Sequence, residues 1–136
     1  MIISPEQQER IKRQLYENTI PIGQIAHSRS GDKGNHANVA IIAFTQQGYE
    51  WLKIHASIEA VGKYFANLGA SRVERFEAEN IFGLNFMLYD ALAGGASRSL
   101  RIDTQGKALG QAVLAMQVPR PMNLDEMVEK PLVEGI

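Results

Sequence analysis

One polar stretch, from Ala26 to Asn38, contains most of the side chains that could bind a ligand or move a proton. Nearly all of its residues are polar, glycines interrupt it, and an apolar run that ends at Phe44 follows it directly. A polar loop that leads into a buried strand is a common way to hold chemical groups on a rigid support. The sequence therefore predicts a functional loop here, followed by a strand from about Asn38 to Phe44.

The middle of this stretch combines glycines with cations, which indicates a site for a negatively charged group. Glycines permit positive φ, so that consecutive backbone N–H groups can point inward around an anion. Arg29 and Lys33 add cationic donors that suit a carboxylate or a phosphate. The spacing is not that of a Walker A loop, and a solvated turn with local ion pairs of Asp32 is the competing interpretation. The candidate anion-binding residues are Ser28, Arg29, Ser30, Gly31, Lys33, Gly34, Asn35 and Asn38.

His27 and His36 flank the same stretch, with Asp32 between them. His27 and Asp32 are the candidates for proton transfer, because imidazole and carboxylate groups act as general bases. The competing interpretation of His27 is a histidine at a strand end that bonds to the backbone. The remaining histidine, His55, falls on a distant helix, so a histidine-rich metal site is not expected. With no cofactor fingerprint either, the sequence predicts neither a metal nor a cofactor.

A second stretch, Gly94 to Ser99, also joins glycines, hydroxyls and an arginine. Arg98 could close over an anion from this segment if the two stretches meet in the fold. The competing interpretation is a hairpin connection with an exposed arginine. The serines lack a G-x-S-x-G nucleophile elbow, so the residues leave open whether the chain catalyses a reaction.

Composition narrows the classes of partner. The 136 residues suit one domain, and 45% hydrophobic with 21% charged residues is ordinary for a globular protein. A net charge of -1 argues against a nucleic-acid or anionic-membrane surface. The absence of cysteine excludes disulfides and fits a reducing cytoplasm. We see no signal-peptide pattern and no apolar run near the ~20 residues of a membrane span. A cytoplasmic location without nucleic-acid or membrane partners is expected.

The predicted elements that must position these groups begin with a helix. Ser4 and Gln7 form a capping-box pattern with Pro5 between them, which predicts a helix to about Asn18. A short strand is expected at Ile22–Ala26. A helical stretch from Thr45 follows, with a break before Ser57 and an apolar face of Ile54, Ile58, Val61, Phe65 and Leu68. The later elements are strands at Arg72–Glu79, Leu84–Tyr89 and Ser99–Asp103, and a helix at Lys107–Met116.

This order favours an α+β fold with an antiparallel sheet and helices packed on one face. Among the known units a ferredoxin-like core is the best match. Residues 1–20 would be an N-terminal helical extension, residues 21–118 the ferredoxin-like domain and residues 119–136 an extended C-terminal tail. The helix has a narrow apolar stripe and the tail is too apolar to remain in water. Both features predict contacts within a homo-oligomer or across the chain's own domain.

Several motifs follow one another between about Ile22 and Val118. The first runs from His27 to Asn35 with Asn38-Val39 after it. The others are Val73–Glu77, Leu84–Leu88 with Ala91-Leu92, Gly94-Gly95, Ser99–Asp103 and Gly106-Lys107. Together they resemble the AtuA-like family, the C-terminal domain of acyclic-terpene-utilization proteins, which also occurs as a separate small protein.

The resemblance implies a ferredoxin-like fold and a place in the catabolism of branched acyclic terpenoid acids or related acids, handled as coenzyme A thioesters. It also implies a large AtuA-type subunit as a partner, but no established catalytic residues. One hypothesis is therefore a small subunit or stand-alone domain that binds a small acidic metabolite at Arg29–Gly34. The alternative is a non-catalytic, oligomeric interaction protein in which this loop is purely structural.

Overall fold

The computed structural model of the chain describes residues 2–91 and 107–130. In these ranges the chain forms α-helices and two antiparallel sheets. The helices are α1 (Pro5–Asn18), α2 (Gln46–His55), α3 (Ile58–Tyr64) and α4 (Lys107–Leu114). The strands are β1 (Thr19–Pro21), β2 (Ala26–Lys33), β3 (His36–Ala43), β4 (Arg72–Ala78), β5 (Gly83–Tyr89) and β6 (Gln117–Pro119).

The main sheet has four strands in the order β2-β3-β5-β4, and all neighbours are antiparallel. Helices α2, α3 and α4 contact this sheet, and the buried side chains of its central strands face them. The second sheet pairs β1 with β6 and joins the two ends of the domain. The expected α+β, ferredoxin-like class with helices on one face of an antiparallel sheet is confirmed.

The core follows from strict alternation in the two central strands. In β3 every second residue is buried, and the residues between them are half-buried on the opposite face. The same pattern in β5 buries Leu84, Phe86 and Leu88. Side chains point to alternate faces of a strand, so these apolar sets meet beneath the helices. There they pack with Leu52 of α2 and Val113 of α4.

The polar stretch forms a β-hairpin and not the expected loop. Strand β2 pairs with β3 over its whole length, and Gly34 with Asn35 makes the turn. Gly34 has φ +63° and Asn35 is not in the positive-φ region, which is the pattern of a type II′ hairpin turn. The strand expected at Ile22–Ala26 is replaced by one 3-10 turn, Ile22–Gln24.

The helical stretch after Thr45 breaks where the sequence predicts. Thr45 caps α2 through the Gly48 N–H, and Ser57 caps α3 through the Ala60 N–H. The predicted continuous apolar face is wrong in its first part, because Ile54 and Ile58 are 68% and 42% exposed. The break before Ser57 starts a new helix, so the residues on its two sides do not share one face.

The two ends of the chain also follow the prediction in part. The capping box is present, since the Ser4 N–H donates to Gln7 Oε1 and the Gln7 N–H donates to Ser4 Oγ. Helix α1 lies outside the core, with Ile11 exposed. The tail packs on its own domain as far as the structure describes it, with Val118 and Met127 buried. The predicted strand at Ser99–Asp103 lies outside the described residues.

Tyr49 of α2 carries a buried hydroxyl that bonds to no residue the structure describes. A buried polar group without a partner costs about 1–3 kcal/mol of desolvation. Tyr49→Phe removes this group, so we expect the variant to be more stable by about 1 kcal/mol, measured by urea unfolding at pH 7. Tyr64→Phe is the matched control and should destabilise, because the Tyr64 hydroxyl donates to Ala112 O at 2.6 Å.

Tyr49 also predicts a dependence of stability on alkaline pH. Burial, and then the carboxylates of Glu77 and Glu79, raise the pKa of Tyr49 above its ordinary value of 10.0. The unfolded chain therefore loses this proton at a lower pH than the folded chain does. The associated stability is fully present below about pH 10 and falls as the pH rises further. Wild type should lose stability above pH 10 more steeply than Tyr49→Phe; equal slopes would contradict this assignment.

Candidate anion-binding site

Strand β2 divides the predicted site residues between the two faces of the sheet. His27, Arg29, Gly31 and Lys33 share the face away from the helices, whereas residues 28, 30 and 32 point to the helix side. Asn38 lies on the first face because it is opposite Gly31 on β3. The structure therefore places the cations, the first histidine and one amide on the same face of the sheet.

The two serines of the set hold α4 against β2. Ser28 Oγ donates to Gly110 O at 2.7 Å, and the Gly110 N–H donates to Ser30 Oγ at 3.0 Å. A Cβ on Gly110 would lie 2.9 Å from Ser30 Oγ and 3.1 Å from Ser28 Oγ. The sequence alone did not indicate this role of Gly110, although a glycine inside a helical pattern often marks a close approach.

Arg29 and Lys33 are exposed on the opposite face of β2. Neither forms an ion pair with a residue in the described part of the chain. Their positive charge is therefore not neutralised by a described carboxylate. This arrangement differs from the competing interpretation of the sequence, in which Asp32 pairs with these cations.

An open cleft of about 390 Å³ lies between β2 and α4 and reaches Arg29. Its other lining residues are Ser28, Ser30, Gly110 and Gln111. The two serine hydroxyls are engaged with Gly110, so the groups left to bind an anion at this cleft are the Gln111 amide and, from the strand edge, the Arg29 guanidinium. A guanidinium binds a carboxylate or phosphate through charge-assisted hydrogen bonds.

The backbone from Gly31 to Lys33 is extended and paired with β3. Consecutive amides of an extended strand point in opposite directions, so these residues do not form a concave anion nest. Gly34 and Asn35 lie exposed at the turn. The groups that remain available for an anion are mainly the side chains of Arg29 and Lys33.

Asn38 bonds to a second amide across the sheet. Its Nδ2 donates to Asn85 Oδ1 at 3.2 Å, and both residues are half-buried. A Cβ on Gly31 would lie 3.3 Å from Asn38 Oδ1, so the glycine gives the amide room on β2. The Asn38–Asn85 pair is thus a structural bridge that lies beside the two cations.

The two proton-transfer candidates do not face each other. His27 is exposed and its ring stacks on Phe44, with centroids 5.7 Å apart, while Asp32 lies on the other face of β2. The other histidine of the hairpin has a structural contact, because His36 Nδ1 accepts the Asp90 N–H at 2.9 Å. This bond ties the hairpin to the end of β5.

Arg98 and the stretch Gly94 to Ser99 lie outside the described residues, so their approach to the hairpin stays a prediction.

Within the described ranges no three histidine, cysteine or acidic side chains come together as metal ligands. No helix of the same ranges is long and apolar enough to cross a bilayer.

The fold and the hairpin site define an α+β domain of the ferredoxin-like class. The family model of the AtuA ferredoxin-like domain matches residues 20–119, and the chain belongs to this family. The match begins in β1 and ends in β6, so it covers both sheets and leaves α1 outside. The chain has no significant match among curated proteins. It also has none among solved structures.

Proposed function

We propose that this chain is the small subunit or stand-alone domain of a catabolic enzyme system for branched, terpenoid or related organic acids. In this proposal Arg29 and Lys33 bind the anionic group of a small acidic metabolite, which can be a coenzyme A thioester. The observation that carries the proposal is a pair of exposed cations without described ion pairs, one of which borders an open cleft of about 390 Å³.

Electrostatics supports this assignment. Arg29 and Lys33 are four positions apart on one strand and lie on the same face, with Cα atoms about 13 Å apart, a span that their two long side chains can bridge to act on one carboxylate or phosphate. His27 lies on that face next to Arg29 and can exchange a proton with a bound acid. Asp32 is on the other face, so it contributes to proton transfer only through solvent or through a partner chain.

The described residues lack an evident nucleophile, and the proposed site is open to solvent. We therefore propose that chemistry requires a partner, and that a large AtuA-type subunit in the cytoplasm covers this face. In this arrangement the small chain holds the acidic group while the partner supplies the reacting groups.

The test is a titration of the wild-type chain with isovalerate and, separately, with coenzyme A, followed by backbone amide shifts in NMR. Arg29→Ala and Lys33→Ala should each weaken binding about tenfold, because each loses a charge-assisted hydrogen bond of about 1.5–3 kcal/mol. Their melting temperatures should stay near wild type, since exposed substitutions change stability by only about 0.5 kcal/mol.

Lys63→Ala is the matched control, because it removes an exposed cation from α3 and should leave the affinity unchanged. Equal affinities of wild type and both hairpin variants for both probes would contradict the proposal.

The second candidate function is a non-catalytic interaction protein. The docking of Ser28 and Ser30 on Gly110 favours it, because part of the hairpin has a structural role. Under this alternative neither probe shifts any amide of β2, and the hairpin serves only to position α4.

A further inference from the structure

Strand β4 lies at the edge of the sheet opposite to β2, and some of its backbone groups have no partner among residues 2–91 and 107–130. The Ala43 N–H donates to Phe82 O, and hydrogen-bonded pairs alternate along antiparallel strands. Leu84, Phe86 and Leu88 therefore bond to β3, and the residues between them bond to β4.

By the same alternation, the backbone groups of Val73, Arg75 and Glu77 point away from the sheet. No described residue outside the sheet bonds to them. The strand has 7 residues, and its free edge is ~24 Å long. A free edge of this length can pair with another strand.

Two further observations accompany the free edge. Phe76 is 50% exposed in the middle of β4, which is unusual for a large aromatic side chain within a strand. A cleft of about 360 Å³ also borders the edge on its helix side, and Lys53, Ile58, Arg75 and Glu77 are among its lining residues. The edge is therefore accessible from both faces of the sheet.

The sequence of β4 fits its own two-fold copy in one register. Antiparallel pairing centred on Phe76 places Phe76 opposite its symmetry mate, Arg75 opposite Glu77 of the second copy, and Glu74 opposite Ala78. Pairing centred on Glu74, Arg75 or Glu77 would instead place like charges directly opposite each other, and pairing centred on Val73 would pair only residues 72–74 of the strand. Cross-strand aromatic pairs and opposite charges stabilise a sheet, whereas like charges destabilise it.

The backbone pattern agrees with the same register. Arg75 and Glu77 both point their N–H and C=O groups outward, so they form a hydrogen-bonded pair across the two-fold axis. Phe76 bonds toward β5, so its pair with the second copy is of the closer, non-hydrogen-bonded type. We propose that two copies of this chain join at β4, in the Phe76-centred register, to form one continuous eight-stranded sheet.

This interface goes beyond the proposed ligand and is independent of it, because β2 and β4 are opposite edges of the sheet. The two-fold axis is perpendicular to the sheet, so the helices of both copies lie on the same face. The faces that carry Arg29 in the two copies then form one continuous surface on the other side.

Cysteine cross-linking tests the register directly, because the chain has no cysteine of its own. Phe76→Cys should form a covalent dimer on air oxidation, since Cα atoms of a non-hydrogen-bonded pair are about 4.5 Å apart, within disulfide range. Glu74→Cys and Ala78→Cys should each remain monomeric on non-reducing gels but cross-link to each other when mixed. Cross-linking of Glu74→Cys alone, or none in the mixture, would overturn the register.

Light scattering on the native chain tests the association itself. Wild type should elute with the mass of a dimer, whereas Glu77→Arg should elute as a monomer because it places an arginine opposite Arg75 of the second copy. Asp125→Arg makes the same charge change at an exposed position far from β4 in sequence and should remain dimeric. A wild-type chain that is monomeric at all protein concentrations would overturn the proposal. The charged side chains of β4 would then serve to prevent pairing at this edge.

Discussion

Gly110→Ala is expected to destabilise the fold by about 1–3 kcal/mol, which is the usual cost of forcing a methyl group into a packed site. The new Cβ would lie 2.9 Å from Ser30 Oγ and 3.1 Å from Ser28 Oγ. Both hydroxyls are engaged with the backbone of the same glycine, so they cannot rotate away without losing a bond. Helix α4 must then move off β2 and change the cleft beside Arg29.

The substitution also has a stabilising effect, and the size of that effect decides whether Gly110→Ala is destabilising overall. Glycine inside a helix costs about 0.5–1 kcal/mol relative to alanine, so the substitution also removes a backbone penalty. The clash exceeds this gain because it involves two short side chains close to the backbone. Urea unfolding monitored by Trp51 fluorescence measures the net effect.

Gly62→Ala in α3 is the matched control. Its Cβ would meet only Val73 Cγ2 at 3.8 Å, an ordinary contact, so this variant should be more stable by up to about 1 kcal/mol. Adding Ser30→Ala to Gly110→Ala should recover part of the loss, because the nearest clash disappears and the two changes are coupled. A Gly110→Ala protein as stable as Gly62→Ala would show that the serines do not hold α4 in place.

The sequence predicts the central elements well because their signals are local. The alternation in β3 and β5 and the hydroxyl caps at Ser4 and Ser57 depend on residues within one or two turns of the chain. Tertiary packing does not override these local signals in the folded chain. The ferredoxin-like class follows from the order of these elements.

The hairpin could not be predicted in the same way, because β2 has no apolar side of its own. Ser28 and Ser30 face α4 and bond to its backbone, so a contact between residues 80 or more apart in sequence replaces the hydrophobic alternation. The division of the candidate site between two faces follows from this strand. Residue type alone identifies Arg29 and Lys33 as candidate anion-binding residues. Their position on the opposite face from Asp32 becomes evident only when β2 is known to be a strand paired with β3.

Arg75 is a second point at which one side chain joins distant elements. Its Nη1 donates to Lys53 O at 2.8 Å and Ala56 O at 3.1 Å, and its Nη2 donates to Glu77 Oε2 at 2.8 Å. The carbonyls lie at the end of α2, where the last turn of a helix has no partners of its own. A guanidinium from β4 therefore caps α2 at the break before α3.

Arg75→Met is expected to destabilise the fold by about 2–3 kcal/mol, because it keeps the aliphatic stem but leaves two carbonyls without their donor. Arg75→Lys should lie between methionine and wild type, since one ammonium cannot reproduce the fork of the guanidinium. Glu77→Gln is the control and should cost at most about 1 kcal/mol, because it only weakens an ion pair whose carboxylate is partly exposed.

The measurement must separate this capping role from the proposed pairing of β4 between two copies. Urea unfolding at two protein concentrations does so, because the stability of a dimer depends on concentration and that of a single chain does not. The loss of unfolding free energy in Arg75→Met that remains at the lowest protein concentration is the contribution of the cap on α2. Equal and small losses of unfolding free energy in Arg75→Met and Glu77→Gln at the lowest protein concentration would contradict the capping role. The guanidinium would then act only as the partner of Glu77, and solvent would satisfy the carbonyls at the end of α2.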